Sequence, residues 1–81
     1  MEKRIVFHPY ALYKMSKRGI TRAAVEETIR APYSIVQGKF ARMVAQRIHG
    51  EYLLRAVFED YGDHYLVITA YLARPQRYLR R

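Results

Sequence analysis

The chain is predicted to adopt an α+β fold: a short N-terminal strand, then a two-helix hairpin packed on one face of a mainly antiparallel sheet of four to five strands. Three observations predict it. A β-branched and aromatic run, Arg4 to His8, is closed by Pro9. Apolar residues then recur at helical spacing as far as Pro32, and from Tyr33 onward the period drops to two. The three longest alternating runs, Ala41 to Ile48, Tyr52 to Asp60 and His64 to Ala73, follow one another with short polar breaks.

Each element has a local cause. Pro9 suits the first turn of a helix, where its missing N–H costs nothing, and His8 falls at the cap. The helix runs through Ala11, Leu12 and Met15 to Gly19, a residue free to adopt the left-handed conformation that ends helices. Thr21 is an N-cap for a second helix to about Ala31, with Val25 and Ile29 one turn apart and Glu26 spaced to support Arg30. Pro32 ends it. Ser34 to Gln37 reads as a strand turning at Gly38-Lys39, and the three longer strands complete the sheet. The basic tail, residues 74–81, reads as free to be disordered.

Register follows from the loops. If His49-Gly50-Glu51 and Tyr61-Gly62-Asp63 are three-residue hairpin loops, even positions pair with even ones. Leu54 then opposes Ala70, Ala56 opposes Ile68, and Phe58 opposes Leu66, giving an apolar even face for the helices to cover. Val44, Ile48 and Leu72 join that face. The odd face would stay open, with Arg47, Arg55, Thr69 and Tyr71 among Leu53, Val57, Tyr65 and Val67. An uncovered surface both apolar and basic predicts a ligand or partner.

Composition narrows the classes of function. A chain of 81 residues reads as one domain with one small core and no interdomain cleft. No apolar run approaches the roughly 18 residues that a membrane-spanning helix needs, and the short apolar stretch after Arg4 makes no signal peptide. The absence of cysteine removes disulfides, thiolate nucleophiles and zinc–thiolate sites, and a cytoplasmic protein is expected. The formal charge of +8, from 15 basic and 7 acidic side chains, favours polyanions. Arginine outnumbers lysine 11 to 4, and the planar guanidinium grips phosphate bidentately and stacks on bases.

Arg47, Arg55 and Tyr71, within a few strand spacings of about 4.8 Å on one face, form a set able to hold a phosphate and to stabilise charge as a 2′-hydroxyl attacks phosphorus. Thr69 shares their face. His8 and Glu59 are the candidate bases, His8 having an ordinary cap role as its alternative. In the tail, Arg74, Arg77 and Tyr78 interleave charge with a ring that can stack on a base, and Arg80 and Arg81 add charge. The histidines His8, His49 and His64 show no metal-ligand spacing, so no metal or other cofactor is expected.

Phe7-His8, Ala11, Met15, Arg18-Gly19-Ile20, Val25-Glu26-Glu27, Pro32, Arg47, Leu54-Arg55-Ala56-Val57, Val67-Ile68-Thr69-Ala70-Tyr71 and Arg77-Tyr78, in that order, span nearly the whole chain. In this order the chain resembles the RelE/ParE superfamily of toxins, and most closely a small uncharacterised domain family related to BrnT-like toxins. That resemblance implies a RelE-like fold and a metal-independent endoribonuclease of a toxin–antitoxin system, often ribosome-dependent and held inactive by an acidic antitoxin. Carried onto this sequence, it marks Arg47, Arg55, Tyr71, Arg77 and Tyr78 as positions for catalytic groups. Taken with the reading of the residues, Arg47 and Arg55 stabilise the phosphate, Tyr71 or Tyr78 orients or donates a proton, His8 or Glu59 removes one, and Arg18, Thr69, Arg74, Arg77 and Tyr78 contact RNA. The opposing expectation is a non-catalytic module that binds nucleic acid or protein through the same face.

Overall fold

A computed structural model describes residues 3–78. The order of elements is β1 (Arg4–Phe7), α1 (Pro9–Arg18), α2 (Arg22–Arg30), β2 (Ser34–Gln37), β3 (Met43–His49), β4 (Tyr52–Asp60), β5 (His64–Ala73) and α3 (Pro75–Tyr78). The architecture is α+β, with a five-stranded sheet in the order β1-β5-β4-β3-β2. The sheet is mixed: β1 runs parallel to β5, and the remaining neighbours are antiparallel.

Local sequence chemistry accounts for the helices. The His8 ring accepts a hydrogen bond from the Tyr10 N–H at 3.0 Å, capping α1, and Gly19 ends that helix at φ 69°. The Thr21 hydroxyl accepts from the Ala24 N–H at 3.1 Å, capping α2. Both helices pack on one face of the sheet. There Ala11, Met15, Ile20, Val25 and Ile29 meet Ala45, Leu54, Ala56, Phe58, Val67 and Ala70, with Ile5, Phe7, Met43 and Tyr65 packed around them.

The register departs from the expected one in three places. The β3–β4 hairpin closes on the two residues Gly50-Glu51, with His49 opposite Tyr52, so odd positions of β3 pair with even positions of β4. Gly50 sits at φ 65° and no other loop residue there is left-handed, the pattern of a turn that needs glycine first. A two-residue loop reverses the parity that a three-residue loop would keep. Met43, Ala45 and Arg47 therefore face the helices, while Val44, Gln46 and Ile48 lie on the opposite face.

The other two lie in the β4–β5 hairpin. Asp60 pairs with Tyr65, which leaves four residues between them where three were expected, and a bulge follows, so Leu54, Ala56 and Phe58 oppose Leu72, Ala70 and Val67 in place of Ala70, Ile68 and Leu66. Val57 pairs with Thr69 but Phe58 pairs with Val67, which leaves Ile68 as the extra residue. Along β5 the core face thus passes from Ala70 to Val67 and Tyr65, and Leu66 moves to the other side. Val67 was expected on the open face; it is fully buried in the core instead.

In the tail, Arg74 leads into the helical turn α3, and Leu79, Arg80 and Arg81 lie outside the described residues. No helix among the described residues is long and apolar enough to cross a membrane.

Candidate phosphate-binding groove

The parity of the two hairpins sets one polar residue from each of four strands in a line across the face away from α1 and α2. Ser34 is opposite Gln46, Gln46 opposite Arg55, and Arg55 opposite Tyr71. Their side chains join along that line. The Gln46 amide donates to the Ser34 hydroxyl at 2.9 Å, Arg55 Nε donates to the Gln46 carbonyl at 2.8 Å, and Arg55 Nη1 donates to the Tyr71 hydroxyl at 2.5 Å. From α3, Tyr78 lies over the guanidinium, its ring centroid 3.7 Å from Arg55 Cζ.

Arg55 is only 9% exposed, and Gln46 only 3%. A guanidinium this deep is normally matched by a carboxylate, because burying an unpaired charge costs several kcal/mol, on the order of the penalty for one ion of a buried pair. Among the described residues the ion pairs are Lys3–Asp60, Arg42–Glu59, Arg47–Glu27 and His64–Asp63, and none involves Arg55. Its partners are a neutral amide and two phenols, so Arg55 keeps a full positive charge toward the face.

Beside this row lies a groove of about 510 Å³. Val44 and Val57 are at its floor, Arg55, Tyr71 and Thr69 on one side, and the β2–β3 loop with Lys39, Phe40 and Arg42 on the other. Arg18 reaches the same face from the end of α1: its Nη1 donates to the Ala70 carbonyl at 2.8 Å and to the Thr69 hydroxyl at 3.3 Å. Arg42 Nε donates to Glu59 at 3.0 Å, so the carboxylate at the groove is already neutralised.

The tyrosines differ electrostatically. Burial pushes the Tyr71 hydroxyl above its ordinary value, with the Arg55 charge opposing and the hydrogen bond to Tyr78 adding to the rise. Burial also raises Tyr78, but accepting from Tyr71 and the charges of Arg55 and Arg77 outweigh it, so Tyr78 ends below the ordinary value. Tyr78 is the member of the pair that gives up its proton first.

Several expected site residues meet here: Arg55, Tyr71, Thr69, Arg18 and Tyr78. Arg47 does not. It lies on the helix face opposite Leu54, where its guanidinium donates to the Ala31 carbonyl at 2.6 Å and to Glu27 at 3.3 Å, closing the end of α2. The two-residue Gly50-Glu51 loop is the physical reason. Glu59 is on the groove face, held by Arg42 and Tyr61, and the hydrogen bonds from Tyr61 and then Arg42 keep its carboxyl below the ordinary value. His8 is the exposed cap of α1. Arg74 and Arg77 line a separate depression of about 300 Å³ with Tyr52, Leu72 and Ala73.

Gln46, Arg42 and Phe40 were not foreseen. Gln46 stood between Val44 and Ile48 on one face of its strand, a signal of a satisfied buried partner that the wrong parity concealed. Among the described residues no group of three or more His, Asp or Glu side chains is placed to hold a metal ion. No curated protein and no solved structure matches the chain. Residues 8–72, most of the chain and the whole of the groove's framework, match the model of a domain of unknown function, DUF4258, and the chain belongs to that family.

Proposed function

We propose that the protein is a RelE-like, toxin-type endoribonuclease of the cytoplasm that binds the backbone of RNA in this groove and cleaves it without a metal. The observation that carries the reading is the nearly buried Arg55 guanidinium, which has no carboxylate partner among the described residues. A phosphodiester supplies the missing negative charge, and a planar guanidinium fits two of its oxygens. Lys39 and Arg18 at the rim add attraction for a polyanion.

The chemistry fits the tyrosine pair. The 2′-hydroxyl attacks the adjacent phosphorus and forms the new P–O2′ bond while the Tyr78 phenolate takes its proton. The P–O5′ bond breaks, and the leaving 5′-oxygen takes the proton of Tyr71. Arg55 stabilises the charge that gathers on the phosphoryl oxygens. Proton return from Tyr78 to Tyr71, along the hydrogen bond between them, restores the starting state. The products carry a 2′,3′-cyclic phosphate and a free 5′-hydroxyl.

The second reading is a binding module without chemistry. What favours it is the engagement of both expected bases elsewhere, His8 as a cap and Glu59 with Arg42 and Tyr61. Purified protein incubated with RNA and EDTA, with and without ribosomes, separates the two. Cyclic-phosphate ends that vanish in Arg55→Leu support the nuclease. Salt-sensitive binding with intact RNA under every condition supports the module.

A further inference from the structure

The loop between β2 and β3 reverses at an unexpected place. Arg42 N–H donates to the Lys39 carbonyl at 3.1 Å, so Phe40 and Ala41 are the central pair of a four-residue turn. Their φ values are 58° and 62°, whereas the nearby Gly38 is not left-handed. Two consecutive positive φ values are the signature of the turn that strongly prefers Asn-Gly. Phenylalanine and alanine both carry a Cβ that this conformation disfavours. The ring gains nothing from packing to offset the strain, since Phe40 is 83% exposed, more than any other large apolar residue described. Strain held at a site of no structural benefit directs attention to function.

Phe40 stands at the lip of the groove that contains Arg55, Tyr71 and Thr69. We infer that Phe40 is a stacking platform for an unpaired nucleobase whose own backbone phosphate rests on Arg55. The class of ligand is thereby narrowed to single-stranded RNA, because a base within a duplex has no free face to offer. This inference rests on the phosphate reading of Arg55 and adds to it a contact with the base.

The test uses fluorescein-labelled RNA octamers: single-stranded oligoadenylate, the same length as a duplex, and an abasic single strand that keeps every phosphate. Replacing Phe40 by glycine relieves the turn, so Phe40→Gly is expected to raise Tm by a few degrees. The same variant is expected to weaken oligoadenylate binding about tenfold, within the range known for loss of one stacking contact. Phe40→Trp keeps a ring and should retain wild-type affinity. The abasic strand should bind the wild type and Phe40→Gly alike, and should lose affinity with Arg55→Leu. Unchanged oligoadenylate affinity in Phe40→Gly, equal loss on the abasic strand, or a lowered Tm overturns the stacking role while leaving the phosphate site standing. Wild-type protein that binds neither single strand overturns the phosphate site and the stacking role together.

Discussion

The ring of Tyr78 lies 3.7 Å from Arg55 Cζ, so the last described helical turn of the chain covers the one deeply placed cation of the sheet. A guanidinium so placed is both screened from water and fixed in orientation, and the stacking contributes on the order of 1–2 kcal/mol. The same ring is the proton acceptor in the proposed reaction. The proposed reaction and C-terminal packing therefore draw on the same contact.

The two sheet arginines should separate cleanly on substitution. Arg55→Leu is expected to reduce RNA affinity at least tenfold, by loss of a charge-assisted contact with phosphate worth about 1.5–3 kcal/mol. Arg47→Ala should leave RNA affinity within twofold and lower stability by about 1 kcal/mol, because it uncaps the Ala31 carbonyl and removes only an exposed ion pair. Fluorescence anisotropy with RNA and urea denaturation measure the two effects. An RNA defect in Arg47→Ala would contradict its position on the helix face.

Gln46 holds the Arg55 side chain by its Nε. Gln46→Leu leaves a buried guanidinium N–H without an acceptor, and a cost of about 1–3 kcal/mol is expected. Ser34→Ala removes only the far end of the same row and should cost less, about 0.5–1.5 kcal/mol. Thermal denaturation of the two variants side by side tests the order.

Cleavage should depend on pH through the tyrosine pair. Tyr78 lies below the ordinary 10.0 and in the proposed reaction accepts a proton as phenolate, so the rate should climb with pH as it ionises. Tyr71 lies above 10.0 and must keep its proton, so the rate should fall again beyond that value. Single-turnover rates, corrected for alkaline hydrolysis of the RNA, give the profile. In Tyr78→Phe the rising limb should be absent; its persistence would assign the base elsewhere.

Acid stability should follow the carboxylates of the β4–β5 hairpin. Glu59 is lowered from 4.5 by hydrogen bonds from Tyr61 and Arg42, and Asp60 from 3.8 by those from Lys3 and Gly62. A depressed folded-state value means stability that is present above the ordinary value and lost as pH falls through the folded one. Unfolding free energy should hole steady above about pH 5 and decline below the ordinary values. A Glu59→Gln, Asp60→Asn double variant should show a shallower decline between pH 5 and 2, measured by urea midpoint.

Much of this architecture was legible. Pro9, Gly19, Thr21 and Pro32 marked the helix ends, and the alternation after Tyr33 marked the strands to within about two residues. On β4 the expected faces hold, with Leu54, Ala56 and Phe58 in the core and Arg55 opposite. Of the expected set, Arg55, Thr69 and Tyr71 line one groove, although Arg55 opposes Tyr71 and Thr69 opposes Val57. Arg47 does not, because a loop of two residues and one of three differ by a single position yet send every side chain of β3 to opposite faces. The Gly50-Glu51 dipeptide was the available signal, as glycine followed by another residue is a known two-residue hairpin loop. Nothing comparable announced the bulge at Ile68, nor the turn at Phe40-Ala41, where the sequence offers glycine two residues too early.

Caps, breakers and hydrophobic period act through neighbours a few residues apart, so the chain's own order of residues was sufficient for the helices, the strands and the basic excess. Which cations meet is a different kind of question. Arg55 acquires Gln46, Tyr71 and Tyr78 as partners through two hairpin parities and a returning helical turn, each fixed by packing between segments distant in the chain. A charge becomes a candidate phosphate site when folding gives it no carboxylate partner, as for Arg55 among the described residues, and that outcome belongs to the assembled sheet.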